Sequence, residues 1–270
     1  MHITITMVVT YILCCAWIRT PPWRYFQLNA RYFSDEQGVF SKLRLDALIP
    51  ARWRLSQSLD AVDVVPARYP VFLKPEWGQN AHGIHRADDA AELGRLRATL
   101  SSRPERYLIQ EAAPGAREFE IFGIDADRAD RRHDVLTVTE AVNPSERFPI
   151  NSKFNADTRY VEITDAFDAP ERATLSGYLD AVGQFGISRM SVRADSREAL
   201  LAGDFHVIEI NLFVPMPINL LDARYTMRER WRFIRRAMMA LARATKAIDP
   251  AQKRPAVFTR MMLYGRRSGS

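Results

Sequence analysis

Short apolar runs of period two punctuate the middle of this chain, and most of them begin or end on a charged side chain. Tyr69–Lys74 (YPVFLK), Tyr107–Glu111 (YLIQE), Glu118–Ile124 (EFEIFGI), Asp134–Glu140 (DVLTVTE), Ile187–Ala194 and Phe205–Ile210 (FHVIEI) all read as strands. Between them lie segments of helical period: Ser41–Leu48, Asp88–Leu100, Glu171–Phe185 and the long basic Met227–Ala247. Strands and helices follow one another in irregular order, with turns short enough for hairpins. That order predicts an α+β chain rather than a regular βαβ array.

The 270 residues are 47% hydrophobic and 26% charged, which suits a packed globular chain. The formal charge of +6 fits a polyanionic small ligand, and spread thinly it serves solubility rather than nucleic-acid binding. The two cysteines, Cys14 and Cys15, are adjacent, so no disulfide framework is expected and a reducing, cytoplasmic setting follows. The five histidines form no metal-ligand spacing. Met7–Ile18 (MVVTYILCCAWI) is almost wholly apolar, yet shorter than the ~20 residues a membrane span needs. It lacks a secretory cleavage pattern and is expected to be a buried strand or packing segment, with a membrane-touching segment or a start codon placed too early as the alternatives. Pro21-Pro22 breaks any helix running through it.

Three pieces carry chemistry. Lys74 ends a strand and is followed by a loop with Gly78 and Gly83, where backbone N–H groups could approach phosphate oxygens. Taken singly, a strand-end lysine is usually a solvated surface residue, and this one fits neither the Walker pattern nor GxGxxG. The second piece is the strand ending in Glu111, the turn Pro114-Gly115, and Glu118 opening the next strand; alone it is an ordinary hairpin. The third is Glu209-Ile210-Asn211, whose alternation puts two oxygen ligands on one strand face, an arrangement that suits Mg2+.

In order, these features resemble the ATP-grasp superfamily, and within it the D-alanine–D-alanine ligase-like carboxylate–amine ligases, over roughly residues 41–217. The resemblance implies two α+β lobes clamping ATP. Residues 41–270 would form that domain, lobe 1 at about 60–115 and lobe 2 at about 116–270, after an apolar and aromatic segment, residues 1–40. It implies that Lys42, Lys74 and Lys153 bind nucleotide phosphates, Glu111 flanks the adenine and Glu118 holds the ribose. Arg189 would stabilise the transferred phosphoryl group, and Glu209 and Asn211 would hold Mg2+.

Two departures stand out. Where the family has Arg-x-Asp, this chain has Arg189-Met190-Ser191; a slipped register, Arg193-Ala194-Asp195, would make Asp195 the metal ligand instead. Only about 40 residues precede Lys42, too few for the family's N-terminal substrate-binding domain. The expected activity is an ADP-forming ligase joining a carboxylate to an amine through an acyl phosphate. A second copy or partner chain would supply missing substrate contacts. The alternatives are a non-catalytic ATP-binding protein, suggested by Ser191, and a basic nucleic-acid or membrane-surface binder, suggested by the arginines of the last helix.

Overall fold

The computed structural model of the chain describes residues 2–78, 81–103, 105–126, 133–249, 252 and 257–261. In chain order the elements are α1 (Ile3–Trp17), α2 (Lys42–Asp46), β1 (Gln57–Leu59), β2 (Val71–Pro75), β3 (His85–Ala87), α3 (Ala90–Leu100), β4 (Tyr107–Glu111) and β5 (Arg117–Ile124). There follow β6 (Val135–Val142), β7 (Arg159–Glu162), α4 (Ala169–Val182), β8 (Ile187–Ala194), α5 (Arg197–Ala202), β9 (His206–Asn211) and α6 (Met227–Lys246). The strands make two antiparallel sheets, ordered β1-β4-β2-β3 and β7-β6-β5-β8-β9, so the chain is α+β.

The helices start where short polar side chains can hold the free N–H groups of a first turn. Asp89 accepts from the Glu92 N–H at the start of α3. Asp168 with Glu171, and Thr226 with Glu229, form reciprocal boxes that start α4 and α6. Gly203, at φ 78°, ends α5 in the left-handed region that favours glycine.

The larger sheet shows its role in the alternation of its strands. On one face Phe119, Ile121, Met190, Val192 and Ile210 are buried in the main core with Leu175 and Leu179 of α4. The opposite face changes character partway along. On β5 it runs Glu118, Glu120, then Phe122 and Ile124; on β8 it runs Arg193, Ser191, Arg189, then Ile187. The apolar half, Phe122, Ile124 and Ile187, lies in the cluster formed by Ile234, Ala237, Met238 and Leu241 of α6. The charged half is left uncovered by α6 and turns toward the smaller sheet. Gln110 of β4 reaches across between the sheets, its Nε2 donating to the Ile208 carbonyl at 3.1 Å.

Most of the expected elements are present within a few residues of their expected ends. The exceptions have local causes. The strands β1, β3 and β7 span three or four residues, too few to show a period, and are held by their neighbours in the sheet. The expected buried strand or packing segment at residues 7–18 is instead part of helix α1. Its Tyr11 and Cys15 pack on α6, and Tyr11 Oη lies 2.9 Å from Thr245 Oγ1, but Ile5, Val8, Val9, Ile12, Leu13 and Trp17 are exposed. A run that is apolar all round carries no period to separate strand from helix. No helix among the described residues is long and apolar enough to cross a membrane.

The irregular segment after α1 is tied in by one buried side chain. Asn29 donates from Nδ2 to the Ile187 carbonyl at 2.7 Å and the Leu212 carbonyl at 3.2 Å, and accepts from the Gly186 N–H at 3.0 Å. Asn29→Ala strands three buried backbone groups and is expected to cost about 2–4 kcal/mol. The melting temperature should fall by about 5–15 °C. A thermal melt that does not move would show that the segment is held by its aromatic packing alone.

Candidate functional site

The charged half-face of the larger sheet and the inner face of the smaller sheet line a cleft that opens to solvent. Strand register decides who enters it. In β2 and β4, Phe72 pairs with Gln110 and Lys74 with Leu108, so Lys74 and Gln110 share the cleft side, and Lys74 Nζ donates to Gln110 Oε1 at 2.5 Å. In the larger sheet, Glu120, Ser191 and Glu209 form one row across β5, β8 and β9, with Arg189 and Asn211 in the next. Lys42, the first residue of α2, reaches the same cleft and donates to the Pro75 carbonyl at 3.0 Å. Ser41, which caps α2, donates to the buried Glu76 at 2.6 Å and so fixes that helix on the loop after β2.

The electrostatics centre on Glu209. Burial works against its charge, but Lys42, Lys74 and Arg189 surround it and together hold its pKa below the ordinary range. Asn211 Nδ2 donates to Glu209 Oε1 at 2.5 Å. The cations show the converse: burial pushes Lys42 down despite Glu209, and takes Lys74 to about 8 against the pull of Glu209, with Lys42 adding repulsion. Burial and the neighbouring Glu120 raise Glu118 to about 7, and burial raises Glu120 against the pull of Arg189.

Of the residues expected from sequence, Lys42, Lys74, Glu118, Lys153, Arg189, Glu209 and Asn211 all line this cleft. Lys153 is exposed, its Nζ over the Phe154 ring. Glu111 and Asp195 are not brought there. Alternation along β4 turns Glu111 away from the side of Gln110, and its carboxylate meets Arg68 Nη2 at 3.1 Å. Asp195 lies just past the end of β8, exposed, and lines an adjoining depression with Gly115, Arg117 and Glu140 rather than the cleft itself. The slipped register is therefore corrected: β8 sets Arg189 and Ser191, not Arg193 and Asp195, beside Asn211 and Glu209. In the loop after β2, Gly83 has φ +72° and a Cβ there would approach Pro75 Cγ at 3.0 Å, so both conformation and space call for glycine. Gln79 and Asn80 of that loop lie outside the described residues.

Sequence reasoning missed Glu120. It sits directly opposite Ser191, which donates to both its carboxylate oxygens at 2.9 Å, and it ion-pairs with Arg189 Nε at 3.0 Å. A carboxylate is thus present beside Ser191, delivered from the neighbouring strand. The signal was the EFE alternation on β5, which puts Glu118 and Glu120 on one face, but only the β5–β8 pairing shows what Glu120 faces. Gln110 was missed in the same way.

The donors Glu209, Asn211 and Glu120 are all oxygen ligands on rigid strands, and they fit a hard divalent cation. Among the described residues no three His, Cys, Asp or Glu side chains gather as a self-sufficient metal cage. Mg2+ needs none, since it takes one or two carboxylates, water and substrate phosphates.

No protein-family model matches the chain, and no curated protein matches it. Solved structures do. The L-amino acid ligase from Bacillus licheniformis aligns at 15% identity and TM-score 0.42, over 64% of this chain and 40% of that one. The VanG D-Ala:D-Ser ligase from Enterococcus faecalis aligns at 14% and 0.48, over 78% and 69%. The D-alanine–D-alanine ligase from Bacillus anthracis complexed with ATP aligns at 14% and 0.48, over 84% and 68%. The chain thus spans well under half of the first of these and about two thirds of the other two. At such identities and TM-scores no role passes from those proteins to residues here, and the site stands on its own geometry.

A lysine poised near pH 8 gives a titration with a definite sign. Above about pH 8 Lys74 is largely neutral in the free protein, and an incoming polyphosphate raises its pKa, so binding takes up a proton. The affinity for inorganic triphosphate should fall by up to about tenfold per unit as pH rises past 8. Calorimetry at about pH 8.5 in buffers of different ionisation enthalpy should register that uptake. Lys74→Ala should abolish it; uptake unchanged in the variant would assign the proton elsewhere.

Proposed function

We propose that this cleft binds Mg-ATP and that the chain is an ATP-dependent, ADP-forming ligase joining a carboxylate to an amine. One observation carries the reading: Lys42, Lys74 and Arg189, from three separate elements, converge on the Glu209–Asn211 pair in a cleft between two antiparallel sheets. Around the cleft Lys42, Lys74, Lys153, Arg189 and Arg193 outnumber Glu118, Glu120 and Glu209, and a polyphosphate supplies the negative charge that is missing. The ordered motifs from Lys42 to Asn211, with their likeness to the ATP-grasp ligases, support the same reading.

In this scheme Lys42 and Lys74 neutralise the phosphates as they enter, and Lys153 adds charge at the mouth. Glu118 accepts from the ribose hydroxyls when ionised. Glu209, Asn211 and Glu120 would hold Mg2+, which when bound supplies charge neutralisation at the phosphate oxygens. A substrate carboxylate oxygen attacks the γ-phosphorus and ADP leaves, giving an acyl phosphate. The amine then attacks the acyl carbon, and phosphate leaves with the original carboxylate oxygen. Arg189, held by Glu120 and by the Met216 carbonyl, offsets the charge that spreads over the transferred group. The protein's contribution is position and charge.

Glu120 favours this reading over a non-catalytic one, because the chain that lacks an acid at position 191 has one opposite it. Two experiments test the account. Glu120→Gln should weaken Mg-ATP binding about tenfold or more and leave metal-free ATP binding little changed. Adding Ser191→Asp to that variant should restore Mg2+ dependence; an unaltered Mg2+ requirement in Glu120→Gln would remove Glu120 from the metal site. For the reaction, ATP is incubated with pooled amino acids labelled with 18O in the carboxylate. The account expects ADP together with labelled inorganic phosphate, whereas ADP with unlabelled phosphate would mean hydrolysis and not ligation.

A further inference from the structure

Helix α1 leaves a continuous apolar stripe in solvent. Ile5, Val8, Val9, Ile12, Leu13 and Trp17 recur every three to four residues and are all exposed, Leu13 by 63% and Trp17 by 82%. No charged residue interrupts residues 3–18. Trp23, in the turn that follows, is 70% exposed. Single exposed apolar residues are ordinary, but a stripe along a whole helix marks a surface that meets something.

The chemistry beside the stripe identifies what it meets. The neighbouring α6 carries Arg228, Arg232, Arg235, Arg236, Arg243 and Lys246 on its exposed side, at spacings that keep them within one stripe. Its one acid, Glu229, is held by the Thr226 cap. The two stripes adjoin. Lys246 Nζ donates to the Ile18 carbonyl at 3.0 Å, and the Arg235 guanidinium is close enough to Cys14 to act on its charge. A bare apolar helix bordered by a row of cations, with tryptophans at one end, matches an acidic lipid surface: apolar side chains into the acyl boundary, indole rings at headgroup depth, cations against phosphate and carboxylate. A second copy matches it poorly: a twofold across α1 brings the two basic rows together, and a twofold along α1 sets each row beside a helix that carries no acid. No helix among the described residues is long and apolar enough to cross a membrane, and at 15 residues α1 is about 22 Å long, a length suited to lying along such a surface.

We propose that this face docks on an anionic bilayer, with α1 in the plane of the interface and the α6 cations set against acidic headgroups. The inference stands on α1 and α6 and is independent of the reading of the cleft.

Co-sedimentation of the purified chain with vesicles tests it, using phosphatidylcholine alone and phosphatidylcholine mixed with phosphatidylserine. The chain should pellet with the mixed vesicles, much less with the neutral ones, and be released by high salt. Leu13→Asp should abolish pelleting, and Arg228→Ala with Arg235→Ala should lower the affinity about thirtyfold. Circular dichroism checks folding, and Trp17→Ser, at the most exposed position, is a second probe should Leu13→Asp unfold. Three results overturn the proposal: no pelleting with the mixed vesicles, pelleting that folded Leu13→Asp or Trp17→Ser leaves intact, or a wild-type dimer that Leu13→Asp splits while vesicles are ignored.

Discussion

The structure is organised around a buried negative charge that could not stand alone. Taking a carboxylate out of water costs several kcal/mol. At Glu209 that cost is outweighed only because α2, β2 and β8 each deliver a cation to the same point. The requirement couples elements far apart in sequence. Ser41 must hold α2 on the loop after β2, β2 must end with Lys74 facing inward, and β8 must pair with β9 in the register that sets Ser191 opposite Glu209. Displacing any one removes part of the charge that offsets the burial of Glu209.

The same logic explains how one sheet face serves two purposes. Along β5 and β8 the side chains of that face change from charged to apolar within a single step, Glu120 to Phe122 and Arg189 to Ile187. Where they are apolar, α6 covers them. Where they are charged, the second sheet stands off and a cleft remains. The amphipathic α6 therefore sets the edge of the cleft as well as the edge of the core, and α1 packs against it within the same apolar cluster. That leaves the outer stripe of α1 with no internal surface to cover.

Legibility in the sequence follows physical strength of signal. Strands of five or more residues with clear alternation, and the long capped helices α3, α4 and α6, are legible, whereas the six-residue α5 is too short to show a period despite its Ser196 cap. Lys74, Glu209 and Asn211 were legible because alternation alone decides which way they face. Glu120 was not, since its role depends on which strand lies beside β5, and pairing is a tertiary property that one sequence does not display. Glu111 ends its strand, but alternation gives the inward place to Gln110 and turns Glu111 toward Arg68. Asp195 shares parity with Arg189 and Ser191, so alternation could not exclude it; the end of β8 at Ala194 does. Residues 7–18 pack on α6 through Tyr11 and Cys15, as a packing segment would, but as a helix, because a uniformly apolar run has no period to separate helix from strand.

The central claim is that the converging lysines and Arg189 form a phosphate site completed by Mg2+. Calorimetric titration of ATP and of adenosine, each with and without Mg2+, tests it most directly. The account predicts that ATP binds much more tightly than adenosine, and that Mg2+ tightens ATP alone. Equal binding of ATP and adenosine, or ATP binding indifferent to Mg2+, would contradict it.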